Sequence, residues 1–220
     1  MTWQKKQVTN YIPMSTLSQI LEHKIIAIIR GANPADVIKI AEALYAGGIR
    51  ILEITMNSAQ PLTVIKELND KFGSKMIIGA GTVLDVDSAK KAVAAGASFI
   101  LSPIVDIEVI KIAKSLGVVN IPGAYTATEI YYAYKNGADI VKVFPATSPS
   151  YLKDIAGPLP QIPLLPTGGV TLENIKDFKN AGAVGFGIGS ALVNTKQEVT
   201  LEYLSKLTAK AQAFVQAVNL

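Results

Sequence analysis

Short apolar runs alternate with amphipathic stretches from one end of the 220-residue chain to the other. The runs are KIIAIIR (24–30), IRILEIT (49–55), KMIIGAG (75–81), SFILSP (98–103), VVNIPG (118–123), DIVKVFPA (139–146), IPLLPTGG (162–169) and AVGFGIGS (183–190). They are rich in Val and Ile and nearly free of polar interruption, the pattern of parallel strands covered on both faces. Helical spacing fills the gaps. In PADVIKIAEALYAGG (34–48), Val37, Ile40, Ala41 and Leu44 share a face and Gly47-Gly48 stops the helix. In TLENIKDFKNAGA (171–183), Thr171 is placed to cap, Leu172, Ile175 and Phe178 face a core, and Gly182 terminates. Gly recurs as a stop at Gly47, Gly73, Gly96, Gly117, Gly137 and Gly182. A strand–helix unit repeated eight times predicts an α/β fold, a single-domain (β/α)8 (TIM) barrel spanning 1–220. The competing open, doubly wound sheet wants a G-x-G-x-x-G turn after its first strand, and RGANPAD is not one.

The ends lie outside the repeat. Residues 1–14 form a short N-terminal extension, Thr16 with Gln19 reads as a capping box opening a short helix, and the tail from Thr195 to Leu220 reads as a closing helix with Leu201, Leu204, Leu207 and Ala211 on one side.

Three strands each carry one charged residue near the C-terminal end, where barrels of this class do their chemistry. Side chains alternate along a strand, so Ile140, Lys142 and Phe144 share a face, as do Ile51, Glu53 and Thr55, and Ile26, Ile28 and Arg30. On the outward face these charges would press against apolar helix surface, which costs several kcal/mol unless they are paired. The interior near the top is the cheaper place. One reading of Lys142 and Glu53 is a buried structural ion pair. The other is chemical.

Composition narrows the chemistry. There is no Cys, which excludes disulfides, zinc–thiolate sites and thiol catalysis, and His23 is the one histidine, which excludes a multi-histidine metal site. Half of the residues are hydrophobic, the mean hydropathy is +0.34 and the net charge is +4. The basic residues are scattered, so the basic stripe of a nucleic-acid binder is missing, and the IYYAYK cluster (130–135) reads as helix packing or capping. MTWQKKQ does not read as a secretory signal, and AGAVGFGIGSALV is shorter than the roughly 20 residues of a membrane span. A cytoplasmic protein with no membrane partner is expected.

A lysine in an apolar pocket has a lowered pKa, because desolvation disfavours its cation. Its free amine can attack a ketone and form a Schiff base, an electron sink for carbon–carbon cleavage that uses neither metal nor cofactor. Glu53 is the acid placed to shuttle protons, and Arg30 can offer a bidentate fork to a carboxylate. The glycine loops PTGGV (166–170) and GIGSAL (187–192) follow the last two strands, where such barrels often bind phosphate, and Ser190 is placed to open a helix. His23 reads as a solvated helix-end residue and Glu129 as a first-turn acid favoured by the helix dipole.

LEITMNS (52–58), GAGTVL (79–84), SP (102–103), IPG (121–123), VKVFPA (141–146), PTGGV and GIGSAL occur in the order and spacing of the class I 2-keto-3-deoxy-6-phosphogluconate (KDPG) aldolases, a family that includes 4-hydroxy-2-oxoglutarate aldolase. The sequence resembles that family from about residue 20 to 215. The resemblance implies a homotrimeric barrel that splits a phosphorylated keto-deoxy sugar acid into pyruvate and glyceraldehyde 3-phosphate without a cofactor. It assigns the Schiff-base lysine to Lys142 and the proton-transferring glutamate to Glu53. It places Thr82 near the pyruvate moiety, Thr167, Gly168, Gly169, Gly189 and Ser190 at the phosphate, and Pro103 and Phe144 among the binding residues. Some members carry an arginine four residues after the glutamate, where this chain has Asn57; others, including the galactonate-phosphate branch, have an arginine ending the first strand, as Arg30 does. PTGG and EIT resemble the gluconate branch, whereas MNS and GAYTATE (123–129) resemble the galactonate branch. The gluconate substrate is the expectation, with relaxed specificity compatible with it, since one hydroxyl in a pocket discriminates modestly. The competing functions are a galactonate-phosphate aldolase, a phosphosugar isomerase or epimerase using carboxylates, and a non-catalytic phosphate-binding barrel.

Overall fold

The computed structural model describes residues 14–219, so all of the expected N-terminal extension except Met14 lies outside the described residues. Strands and helices alternate as the hydrophobic pattern demands. The strands are β1 (Ile25–Ile29), β2 (Ile51–Thr55), β3 (Ile77–Gly81), β4 (Phe99–Leu101), β5 (Val119–Ile121), β6 (Gly123–Ala124), β7 (Val141–Val143), β8 (Leu164–Pro166) and β9 (Phe186–Ile188). The helices are α1 (Thr16–His23), α2 (Pro34–Ala46), α3 (Pro61–Phe72), α4 (Val86–Ala94), α5 (Ile107–Ser115), α6 (Ala127–Lys135), α7 (Pro149–Ala156), α8 (Ile175–Asn180) and α9 (Leu201–Asn219). Among the described residues no helix is long and apolar enough to cross a membrane.

Every strand pair is parallel. The curled sheet comes in two parts, a six-stranded one in the order β5-β4-β3-β2-β1-β9 and a three-stranded one in the order β6-β7-β8. The fifth expected strand is therefore two. Pro122 divides it, having no N–H for a ladder. Before it, Ile121 accepts from the Ser102 N–H (3.4 Å), and after the break the Pro122 carbonyl accepts from the Lys142 N–H (2.9 Å), so the chain changes partner from β4 to β7. The parts also meet at their other edges, where the Val184 N–H donates to Leu164 (3.0 Å) and Thr167 pairs with Gly187 in an isolated parallel bridge.

Two apolar cores follow from the alternation of side chains. One lies inside the curl, where Ile26, Ile51, Ile77, Phe99, Ile121, Ile140 and Leu165 pack with Ile20 of α1. The other lies between the outer strand faces and the helices and includes Ala27, Leu52 and Val141 of the strands and Val37, Ile40 and Leu44 of α2.

The helix ends depart from the expectation in three places. Ser15, not Thr16, caps α1, its Oγ accepting from the Ser18 N–H (3.1 Å), while the Gln19 amide donates to the Met14 carbonyl (3.0 Å). Asn174, not Thr171, precedes α8, and its Oδ1 accepts from the Thr171 N–H (2.8 Å). α9 buries Leu207, Ala211, Phe214 and Val218, whereas Leu201, expected on the packed side, is 87% exposed at the first helical position. In α6 the tyrosines divide: Tyr134 packs on the core, and Tyr131 and Tyr132 face outward. His23 is exposed at the end of α1, and Glu129 completes a capping box with Thr126 at the start of α6.

Candidate active site

The inner face of the curl changes character toward the strands' C-terminal ends. Ile51 and Ile140 belong to the interior core, so two residues further on Glu53 and Lys142 point the same way. Leu165 likewise leads to Thr167. All three polar residues are buried, Glu53 completely and Lys142 at 3% exposure. Space for them is made by glycine. A Cβ on Gly81 would collide with the Glu53 carboxylate, and one on Gly187 with Thr167 Oγ1, so β3 and β9 leave the volume that those side chains occupy.

Neither Glu53 oxygen has a hydrogen-bond partner, and Thr167 Oγ1 has none. Buried polar atoms are normally satisfied, so these three, like Asn120 Oδ1 and the Tyr203 hydroxyl, stand out. The five ion pairs found among the described residues are surface lysines with nearby carboxylates, and Lys142 is in none of them. The structure thus holds no hydrogen-bonded Lys142–Glu53 pair. Burial pushes the Lys142 ammonium below its ordinary pKa of 10.5, the nearby Glu53 charge opposes this, and Arg30 adds to it. Burial pushes Glu53 above the usual 4.5, opposed by Lys142 and Arg30. Both shifts favour neutral groups. Lys142 Nζ also sits 4.8 Å from the centre of the Phe144 ring, within cation–π range for its protonated form.

Arg30 follows β1 and is exposed, and its Nη2 reaches Thr82 Oγ1 at 3.5 Å. Thr82 has φ +57, a left-handed conformation that a β-branched residue adopts at a cost of roughly 1–3 kcal/mol. A pocket of about 410 Å³ opens beside these groups. Arg30, Phe144, Thr167, Gly168, Gly169, Gly189 and Ser190 line it, so seven of the expected residues share one cavity. Lys142 is not among the residues lining it, although the Phe144 ring near Lys142 Nζ is. Glu53, Thr82 and Pro103 are outside its wall; the Pro103 backbone instead packs on Gly123 of β6. Ser190 opens a turn rather than a helix, with the Leu192 and Val193 N–H groups both donating to the Gly189 carbonyl (2.8 and 2.9 Å). Asn57 is exposed and supplies no cation.

The pocket also has walls the sequence did not single out: Ile28, Val170, Ala191, Val193, Thr195 and Lys196. Ile28 shares its strand face with Arg30 and was legible by alternation. Thr195 and Lys196 sit in an irregular segment and carried no signal.

A profile of the KDPG and KHG aldolases matches residues 17–207. The chain belongs to that family. It is 36% identical over 196 residues to the 2-dehydro-3-deoxy-6-phosphogalactonate aldolase of Escherichia coli K12, covering 88% of this chain and 93% of that one. It is 41% identical over 160 residues to the 2-dehydro-3-deoxy-phosphogluconate aldolase of Pseudomonas aeruginosa, covering 71% and 72%. Among solved structures, the KDPG aldolase from Legionella pneumophila, with pyruvate captured as a covalent carbinolamine, superposes with a TM-score of 0.80 at 28% identity over 90% of this chain and 98% of that one. The family membership makes the chain an aldolase, an aldehyde-lyase acting on a carbon–carbon bond.

Proposed function

We propose that this aldolase works through a Schiff base on Lys142 and cleaves 2-keto-3-deoxy-6-phosphogluconate to pyruvate and glyceraldehyde 3-phosphate. The observation that carries the reading is a buried lysine in no ion pair among the described residues and a buried glutamate whose oxygens lack hydrogen-bond partners, on one interior face, beside a pocket edged by an arginine and two glycine loops. Desolvation leaves the Lys142 amine free to add to the C2 ketone, giving a carbinolamine that loses water to the imine. Glu53 takes the proton of the C4 hydroxyl, the C3–C4 bond breaks, and its electron pair flows into the protonated imine. The aldehyde departs and an enamine remains. Glu53 returns the proton to C3, and water hydrolyses the imine to release pyruvate. Arg30 receives the substrate carboxylate as a fork, with Thr82 at its side. Thr167, Gly168, Gly169, Gly189 and Ser190 hold the phosphate, while Phe144 and Pro103 shape the cavity.

A second reading takes the galactonate isomer, favoured by Arg30 lining the pocket while Asn57 carries no charge. The isomers differ at C4, whose configuration is lost on cleavage, so both yield the same products. A phosphorylated substrate fits the cytoplasmic setting expected from the sequence.

The assembly we infer is one domain in which the two parallel sheets close as a (β/α)8 barrel, β5 and β6 counting as one strand. The contacts at Pro122 and at Thr167–Gly187 support that closure. Apolar side chains on the loops after β3 and β4, Leu84 at 50% and Ile104 at 53% exposure, support an interface between copies of this chain, which the resemblance makes a homotrimer.

Borohydride trapping tests the mechanism. Reduction in the presence of pyruvate is expected to add one pyruvate-derived mass at Lys142, and Lys142→Ala is expected to lose both adduct and cleavage. An active enzyme with no adduct, or turnover that survives Lys142→Ala, sinks the imine. Condensing pyruvate with glyceraldehyde 3-phosphate and assigning the C4 configuration of the product decides between the two substrates.

A further inference from the structure

Arg30 stands just beyond its strand, exposed, on the peptide that leads into Gly31. Gly31 has φ +68 and no atom within 4 Å of where its Cβ would be, so packing does not confine this turn. Hydrogen bonds do. The Arg30 carbonyl accepts from Thr195 Oγ1 at 2.7 Å, and the N–H of the same peptide, that of Gly31, donates to Ser58 Oγ at 2.9 Å. Ser58 Oγ is itself 2.8 Å from Thr55 Oγ1, on a residue wholly buried at the end of β2. Both polar groups of one peptide are thus gripped by hydroxyls from the loops after β9 and β2. From that anchor the Arg30 guanidinium extends to Thr82, on the loop after β3. Thr195 also stands in the pocket wall with Gly189 and Ser190.

We infer that Thr195 and Ser58 are positioning residues that clamp the Arg30–Gly31 peptide and thereby fix the distance between the carboxylate-binding cation and the glycine loops. The inference rests on the reading of Arg30 as the carboxylate ligand. An arginine on an unanchored turn would have to be ordered at each binding event. The clamp orders it beforehand and ties it to the wall at the phosphate end. The two charged ends of a substrate then meet sites at a set separation, which favours one chain length over shorter or longer keto acids.

Proton exchange at the methyl of pyruvate isolates the effect, because pyruvate carries the carboxylate and no phosphate. Thr195→Val keeps the shape and removes the donor. It is expected to raise the KM for pyruvate exchange roughly tenfold with kcat within about twofold, the size of one lost hydrogen bond. Thr195→Ser is expected to restore the wild-type KM. In an Arg30→Gln background Thr195→Val is expected to add nothing, since its effect passes through Arg30. Ser58→Ala carries the same expectation and serves if Thr195→Val does not fold. Wild-type KM in both hydroxyl variants, or a rise that persists in full on Arg30→Gln, overturns the clamp. Wild-type KM in Arg30→Gln itself overturns the carboxylate assignment and the clamp with it, whereas an impaired Arg30→Gln beside normal hydroxyl variants overturns the clamp alone.

Discussion

Lys142 lies under opposing influences, and their signs can be measured. Burial and Arg30 push its pKa down, and Glu53 pushes it up. Imine formation needs the neutral amine, so the rate of pyruvate trapping should rise with pH through a midpoint below 10.5, the ordinary lysine value. Glu53→Gln removes the charge that steadies the ammonium, so the midpoint should move lower. Arg30→Gln removes a repelling cation, so it should move higher. Midpoints that stay put, or move together, contradict this electrostatic account. Lys142, Glu53 and Arg30 were legible because a charge inside an apolar run is costly and demands a reason. Thr195 and Ser58 were not, because a hydroxyl in a loop is ordinary and their partners lie 165 and 27 residues away in the chain.

At the scale of the element, β3 and β9 contribute by what they lack. Gly81→Ala would put a methyl where the Glu53 carboxylate lies, and crowding of this kind typically costs about 1–3 kcal/mol. The variant should melt several degrees lower and lose pyruvate proton exchange more than about tenfold. Gly157→Ala is the control: at the end of α7 its Cβ has 3.6 Å of clearance and φ is −52, so stability and activity should hold. Equal behaviour of the two variants would remove the steric argument. The number and order of elements were readable from periodicity. Their ends were less so. The cap of α1 sits one residue early because Ser15, with Ser18 three positions on, satisfies the first turn as well as Thr16 could. The division at Pro122 was visible as a proline but not as a change of partner, since that depends on where β7 runs.

For the whole molecule, the exposed Leu84 and Ile104 lead to a prediction about assembly. Sedimentation should give a mass about three times the 23.3 kDa of one chain, and the double variant Leu84→Lys/Ile104→Lys should sediment as a single chain. A wild type that sediments at the single-chain mass counters it. The sequence by itself determined the alternating α/β plan, the apolar face of most helices and strands, and that Glu53 and Lys142 lie inside, because these follow from local periodicity and from the penalty on buried charge. Arg30, expected on the same interior, ends up exposed. The tertiary structure alone decided that the Glu53 carboxylate and the Thr167 hydroxyl are buried without hydrogen-bond partners, that glycines on other strands make room for them, and that two distant hydroxyls hold one peptide beneath Arg30. Such facts depend on distances between residues far apart in the chain, and no local pattern encodes those.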